Sequence, residues 1–139
     1  MRELDEIIER ICNYEDINNS FGFYRRIIDC IDECLNLINP DLLSENALIA
    51  RKKAKNIWGN EYNASLLHEL YVDLREKHSV YEDRYYVYDA LKFYLCSYEE
   101  YPDDERANAL DYFVANLKRA GADKDLIYQV IVKHFPEFR

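Results

Sequence analysis

Four cysteines and three histidines are the side chains that could bind a soft metal ion. Cys30 and Cys34 lie one helical turn apart, and with Cys12 or Cys96 they could form a thiolate zinc site. Zinc sites usually place close ligand pairs on a turn, whereas these cysteines lie among apolar neighbours in helical patterns. We therefore predict four buried, reduced thiols, with no disulfide and no bound metal.

Catalytic residue types are present but form no recognisable motif. Three isolated glycines cannot build a phosphate-binding loop, and the sequence has no His-Glu-x-x-His pattern. His68 and His78 have no evident partner ligands, while His134 falls on an apolar stripe. Carboxylates are so abundant that their proximity would say little about acid–base catalysis. The sequence favours a protein that is not an enzyme and that uses no cofactor.

Tyrosine is the residue type in clear excess. The chain has 13 Tyr against 6 Phe and 1 Trp, and many of the tyrosines lie between residues 71 and 101. In the helix predicted there, Val87, Leu91 and Leu95 belong to a complete core stripe together with two tyrosines. Four aromatic residues are left for the other faces of that helix: Tyr85, Tyr86, Tyr88 and Phe93.

Two explanations of these surplus aromatic residues remain open. The helix could be buried on several sides, with phenol groups hydrogen-bonded at its rim. Alternatively it could present a partner surface, because tyrosine is enriched at binding hot spots and neighbouring carboxylates add electrostatic complementarity. On the second explanation, the candidate partner-binding residues of this helix are Tyr81, Glu82, Asp83, Tyr85, Tyr86, Tyr88, Asp89 and Phe93.

Negative charge is concentrated in the first 50 residues, which carry −7 of the formal net charge of −9. There the polar side of the second predicted helix adds three further candidates for partner binding: Asp29, Asp32 and Glu33. Direct binding to nucleic acid is disfavoured because it needs a basic surface, whereas a basic protein partner would be attracted. We interpret the basic run 51–55 as a solvated helix face or as an intramolecular match to the acidic second helix.

Helical periodicity runs through the whole sequence, and glycine and proline are scarce. We predict an all-α fold, a compact bundle of about seven amphipathic helices forming one domain over residues 1–139. The predicted helices cover about 3–13, 21–38, 41–58, 61–77, 80–99, 102–120 and 123–135. The predicted N-caps are Asn19 or Ser20, Asn39, Asn60 and Asp123. The predicted core includes Ile7, Ile11, Ile28, Ile31, Leu35, Trp58, Leu70, Leu91, Phe113, Leu117, Ile127 and Ile131. On the third helix, the predicted buried side consists of Leu43, Ala47, Ile49 or Ala50, Ala54, Ile57 and Trp58. On the fourth helix, the residues predicted to face mostly inward are Leu66, Leu67, Leu70, Val72 and Leu74.

Membrane insertion and export are not expected from this sequence. No apolar stretch approaches the length of a membrane span, and the charged N-terminus contains no apolar signal core. We therefore predict a cytoplasmic protein.

A small, acidic, all-helical chain with a tyrosine–carboxylate surface resembles the immunity proteins of bacterial contact-dependent and polymorphic toxin systems. In local sequence the resemblance lies in residues 50–58 and 89–95. It implies a protein that binds one cognate toxin with a basic surface, often a nuclease, and blocks its active site or substrate groove. The resemblance assigns no role to individual residues.

Two other classes of function compete with this interpretation. A helical protein of a mobile element or regulatory system could use the aromatic surface for self-association, and we expect a monomer or a weak homodimer when the chain is alone. A helical-bundle enzyme with a buried carboxylate or metal centre is the third class, but no motif supports it.

Overall fold

Helices account for nearly all of the chain's regular structure. The computed structural model describes residues 2–77, 85–100 and 103–139, of which 81% are helical and none forms a strand. The helices are α1 (Arg2–Asn18), α2 (Phe21–Leu35), α3 (Glu45–Gly59), α4 (Ala64–Lys77), α5 (Tyr85–Leu95), α6 (Asp103–Ala107), α7 (Ala109–Arg119) and α8 (Lys124–His134). Two short 3-10 helices cover Pro40–Leu42 and Pro136–Phe138. The predicted all-α class is confirmed.

Several helices begin directly after a residue whose side chain accepts hydrogen bonds from amides of the first turn. The Ser20 hydroxyl accepts a hydrogen bond from the Phe23 amide at 3.2 Å, and Asp123 accepts bonds from two amides of the first turn of α8. These two predicted caps are confirmed. Asn39 instead caps the 3-10 helix, and Ser44 is the cap of α3, so the third helix begins later than predicted. The prediction that Asn60 caps the fourth helix was wrong: Asn60 is the C-cap of α3, and the Asn63 side chain accepts a hydrogen bond from the Leu66 amide at 3.0 Å. Such caps stabilise a helix by about 1 kcal/mol each.

The core is arranged around α5, which packs against α2, α3, α4 and α7, while α1 packs across α6, α7 and α8. Of the predicted core residues, only Leu70 is not fully buried. The helical period therefore identified the buried face correctly on most helices. Among the described residues, no helix combines the length and hydropathy that a bilayer crossing demands.

Other predictions about the helices were also wrong. α1 does not end at residue 13 but continues to Asn18, which leaves Ile17 exposed. The helix predicted over 102–120 is broken at Asn108 into α6 and α7. On α4, Leu67 and Leu74 are buried as predicted, but Leu66 and Val72, which were also predicted to face inward, are solvent-exposed.

Candidate functional site

The carboxylates predicted for partner binding on α2 are largely engaged within the chain. Asp32 is only 18% exposed and binds Arg51 at 3.1 Å and Lys55 at 3.3 Å. The guanidinium of Arg51 also donates to the backbone carbonyl of Asp32 at 2.6 Å. Arg51 and Lys55 of the basic run are thus matched to the acidic second helix, whereas Lys52 and Lys53 lie on the solvent-exposed side of α3. Each of the two interpretations of the run holds for part of it. Asp32 acts as a link between α2 and α3.

The other two acidic candidates of α2 also have basic neighbours. Glu33 lies 2.8 Å from Lys133 and 3.3 Å from His134, and the hydrogen bond from Lys133 is the main cause that lowers the pKa of Glu33. Asp29 pairs with Arg25 at 3.4 Å but keeps 55% of its side chain exposed. Charge at these positions is therefore partly neutralised before any partner arrives.

On α5, the predicted aromatic surface is divided between core and solvent. Phe93 is buried and packs edge-on against Phe113, with ring centroids 6.4 Å apart, so its predicted place outside the core was wrong. Tyr88 is half-buried, and burial raises its pKa to about 12. Asp89 is only 14% exposed and lies 3.6 Å from the Lys92 ammonium. This part of α5 fits the explanation of a helix buried on several sides.

Among the side chains of α5 that the structure describes, Tyr86 is the exposed large aromatic residue. It is 42% exposed, and the guanidinium of Arg119 from α7 lies 5.5 Å from its ring centroid. The predicted binding residues Tyr81, Glu82 and Asp83 lie outside the described residues, as does the side chain of Tyr85.

Many of the remaining tyrosines serve the interior. Tyr24, Tyr62 and Tyr98 form an aromatic cluster with Trp58 and Phe21 near the start of α2. The Tyr24 hydroxyl donates to the carbonyl of residue 96 at 2.9 Å, and the Tyr98 hydroxyl donates to the carbonyl of residue 19 at 2.8 Å. Such bonds satisfy a phenol inside the fold, so much of the tyrosine excess is structural.

An acidic groove between α1 and α7 was not predicted from the sequence. It has a volume of about 250 Å³ and is lined by Asp5, Ile8, Glu9, Cys12, Asn13, Asn108 and Asp111. Among the described residues, the carboxylates of Asp5, Glu9 and Asp111 form no ion pair. Burial raises the pKa of the Cys12 thiol, beside the groove, to about 11. The sequence signal for this groove was the excess of acidic residues in the first 50 positions. The sequence alone does not show that α1 packs against α7.

The exposed side of α7 connects this groove to Tyr86. Asn108, Tyr112 and Arg119 are separated by four and seven positions, which places them on one side of the helix. Tyr112 is 53% exposed, and α7 packs against both α1 and α5. The α7 face, as we call it, consists of these residues and Asp111 together with Asp5 and Glu9 of α1 and Tyr86 of α5.

All four cysteines are buried and none forms a disulfide, as predicted. The pKa of the Cys30 thiol is raised well above its ordinary value, mainly by the hydrogen bond with Cys34 and next by burial. Among the described residues, no group of three or more His, Cys, Asp or Glu side chains is placed to hold a metal ion.

Searches against protein-family models, curated proteins and solved structures found no match for this chain.

Proposed function

We propose that the protein is a binding protein of the immunity type, which neutralises a basic toxin domain by covering its active site or substrate groove. The observation that carries the proposal is the α7 face. There the carboxylates of Asp5, Glu9 and Asp111, which form no ion pair among the described residues, lie near the exposed ring of Tyr112, and Arg119 at the far end of α7 contacts the exposed ring of Tyr86. Carboxylates beside exposed tyrosines complement the basic, phosphate-binding site of a nuclease.

The charge pattern supports the α7 face over α2 as the surface that attracts a partner. Asp32 and Glu33 on α2 are already paired with basic side chains of the same chain. A partner cation there would have to displace an internal one. Asp5, Glu9 and Asp111 offer charge without that competition. We expect them to steer the encounter, because exposed charges raise association rates more than they slow dissociation.

Co-expression with the gene encoded beside this one, with a growth assay for toxicity and then binding kinetics at two salt concentrations, tests the proposal. Asp5→Lys and Glu9→Lys should each slow association at low salt by about tenfold and flatten its salt dependence. Glu61→Lys, in the loop between α3 and α4, is the matched control because it changes the net charge equally and lies outside the α7 face. An equal effect of all three substitutions would show that only total charge matters.

The aromatic half of the face has its own test. Tyr86→Ala should accelerate dissociation and weaken affinity by about thirtyfold, the usual effect of truncating a hot-spot residue. Tyr14→Ala is its control, because Tyr14 has nearly the same exposure, 43%, and lies on α1 away from the groove. Loss of growth protection with Tyr14→Ala but not with Tyr86→Ala would refute the assignment of the surface. A neighbouring gene without toxicity would refute the function itself.

A further inference from the structure

A second groove, apolar at its base, lies between α3 and α4. Its volume is about 410 Å³, and its lining consists of Lys53, Asn56 and Ile57 from α3 and Leu66, Glu69, Leu70 and Asp73 from α4. The groove shares no residue with the α7 face. It is therefore a surface separate from the one proposed to bind the toxin.

Large apolar side chains that are exposed to solvent border this groove. Leu66 is 45% exposed, and Ile49, one turn before Lys53 on the same side of α3, is 44% exposed. The reason lies in the composition of α3, whose buried residues are three alanines and Trp58. Because small residues occupy the inner face, the larger aliphatic residues of α3 point outward. Contiguous apolar surface of this kind marks an interaction site more often than scattered exposed residues do.

Charge is ordered across the groove in a self-complementary way. The α3 side presents Lys53, preceded by the exposed Lys52, and the α4 side presents Glu69 and Asp73. Among the described residues, neither Lys53 nor Glu69 forms an ion pair, whereas Asp73 binds Lys77 on its own helix. A two-fold axis along the groove would lay α3 of one protomer over α4 of the other. Each basic side would then face an acidic side, and the apolar bases would meet in the centre.

We propose that a second copy of this chain docks in the groove between α3 and α4, forming a two-fold symmetric dimer. Ile57, Leu66 and Leu70 of the two protomers form its apolar centre. Two symmetry-related contacts between Lys53 and Glu69 flank that centre. The alternative axis, across the groove, would bring the two basic helices together and is disfavoured by repulsion. Because the apolar base is short, the dimer is expected to dissociate in the micromolar range rather than the nanomolar range.

Sedimentation velocity of the purified chain over about a hundredfold range of concentration tests for the dimer by mass action. Leu66→Asp should abolish association, because it places a charge in the apolar centre. Val72→Asp is the matched control: Val72 is also exposed, at 37%, but lies about 120° around α4 from Leu66. Circular dichroism of each variant confirms that the helices are intact.

Charge reversal tests the symmetry directly. Lys53→Glu and Glu69→Lys should each weaken self-association by about tenfold or more, because each creates two like-charge contacts. An equimolar mixture of the two variants should associate again, since both contacts of the mixed dimer then join opposite charges. This recovery is specific to a contact between residues 53 and 69 of different protomers.

Three results would overturn the proposal. The wild-type chain could remain monomeric at every concentration, which would leave the groove without a second copy. A dimer could survive Leu66→Asp and both charge reversals, which would place the interface elsewhere. The mixed variants could also fail to associate, which would exclude the two-fold arrangement. The experiment uses only the purified chain, so its outcome is independent of whether a toxin partner exists.

Discussion

Glu15 should make the stability of this protein depend on pH in a direction opposite to that of an ordinary surface carboxylate. The residue is 1% exposed, and among the described residues neither carboxyl oxygen has a hydrogen-bond partner. Burial raises the pKa of Glu15 from 4.5 to about 7, while the nearby Arg106 guanidinium opposes the shift. The informative substitution is Glu15→Gln, which keeps the shape of the side chain and removes its ionisation.

The size of the effect follows from the pKa difference between the folded and unfolded states. Because the folded chain holds the Glu15 proton more tightly, stability is greatest at pH values below the unfolded pKa of about 4.5. It then falls until the pH passes the folded pKa near 7. At roughly 1.4 kcal/mol per pKa unit, the wild-type chain should lose about 3 kcal/mol over this window through Glu15 alone.

Urea unfolding of the wild-type and Glu15→Gln chains at about pH 5 and about pH 8 measures this loss. The variant should gain about 2 to 3 kcal/mol relative to the wild type between the two conditions, because other titrating groups cancel in the comparison. Glu9→Gln, an exposed carboxylate on the same helix, is the control and should show little change. A stability difference between Glu15→Gln and wild type that is the same at both pH values would refute the reasoning.

Three further predictions concern positions whose surroundings the structure defines. Asp32→Asn should lower the free energy of unfolding by about 1 kcal/mol, measured by urea denaturation, because it weakens the pair with Arg51 that links α2 and α3; an unchanged midpoint would mean that this ion pair contributes nothing. Phe93→Ala should lower the free energy of unfolding by about 3 to 5 kcal/mol because it leaves a cavity in the core, whereas Tyr86→Ala should lower it by less than about 1 kcal/mol. Similar decreases in melting temperature for the two variants would contradict the burial of Phe93. The Cys12 thiol should react slowly with alkylating reagents at neutral pH in the native protein and fast after denaturation, because burial raises its pKa to about 11; rapid native labelling followed by mass spectrometry would disprove this.

The sequence was sufficient for the buried faces of helices with regular apolar spacing. Ile28, Ile31 and Leu35 recur at the helical period and are all buried. The same reasoning failed on α4, where adjacent Leu66 and Leu67 give two possible faces and only packing against α5 selects Leu67. On α3 the sequence left Ile49 or Ala50 open as the buried residue, and the structure buries Ala50 while Ile49 stays 44% exposed.

The candidate site shows a similar division. Sequence composition indicated an acidic protein and pointed to Tyr86 as exposed, and the match between the basic run and the second helix was anticipated. The acidic groove could not be predicted, because it needs Asp111 of α7 beside Asp5 of α1. Phe93 was misplaced because its helix is buried on several sides. A single stripe assigned by periodicity cannot represent such a helix.

The junction between α1 and α2 has a consequence for how the chain folds as it is synthesised. Asn19 adopts a left-handed backbone conformation with φ 42°, and its side chain and carbonyl accept hydrogen bonds from Tyr98 and Arg106. The helices that pack most extensively against α1 are α6, α7 and α8, and Arg10 also donates to the carbonyl of Phe138 at 3.1 Å. The next helix, α2, contacts α1 through Phe23, whose ring centroid lies 4.6 Å from that of Tyr14. On the ribosome, α1 therefore emerges well before most of the surface that buries it. Much of its apolar stripe stays exposed, or is bound by a chaperone, until the last helices of the bundle have been synthesised.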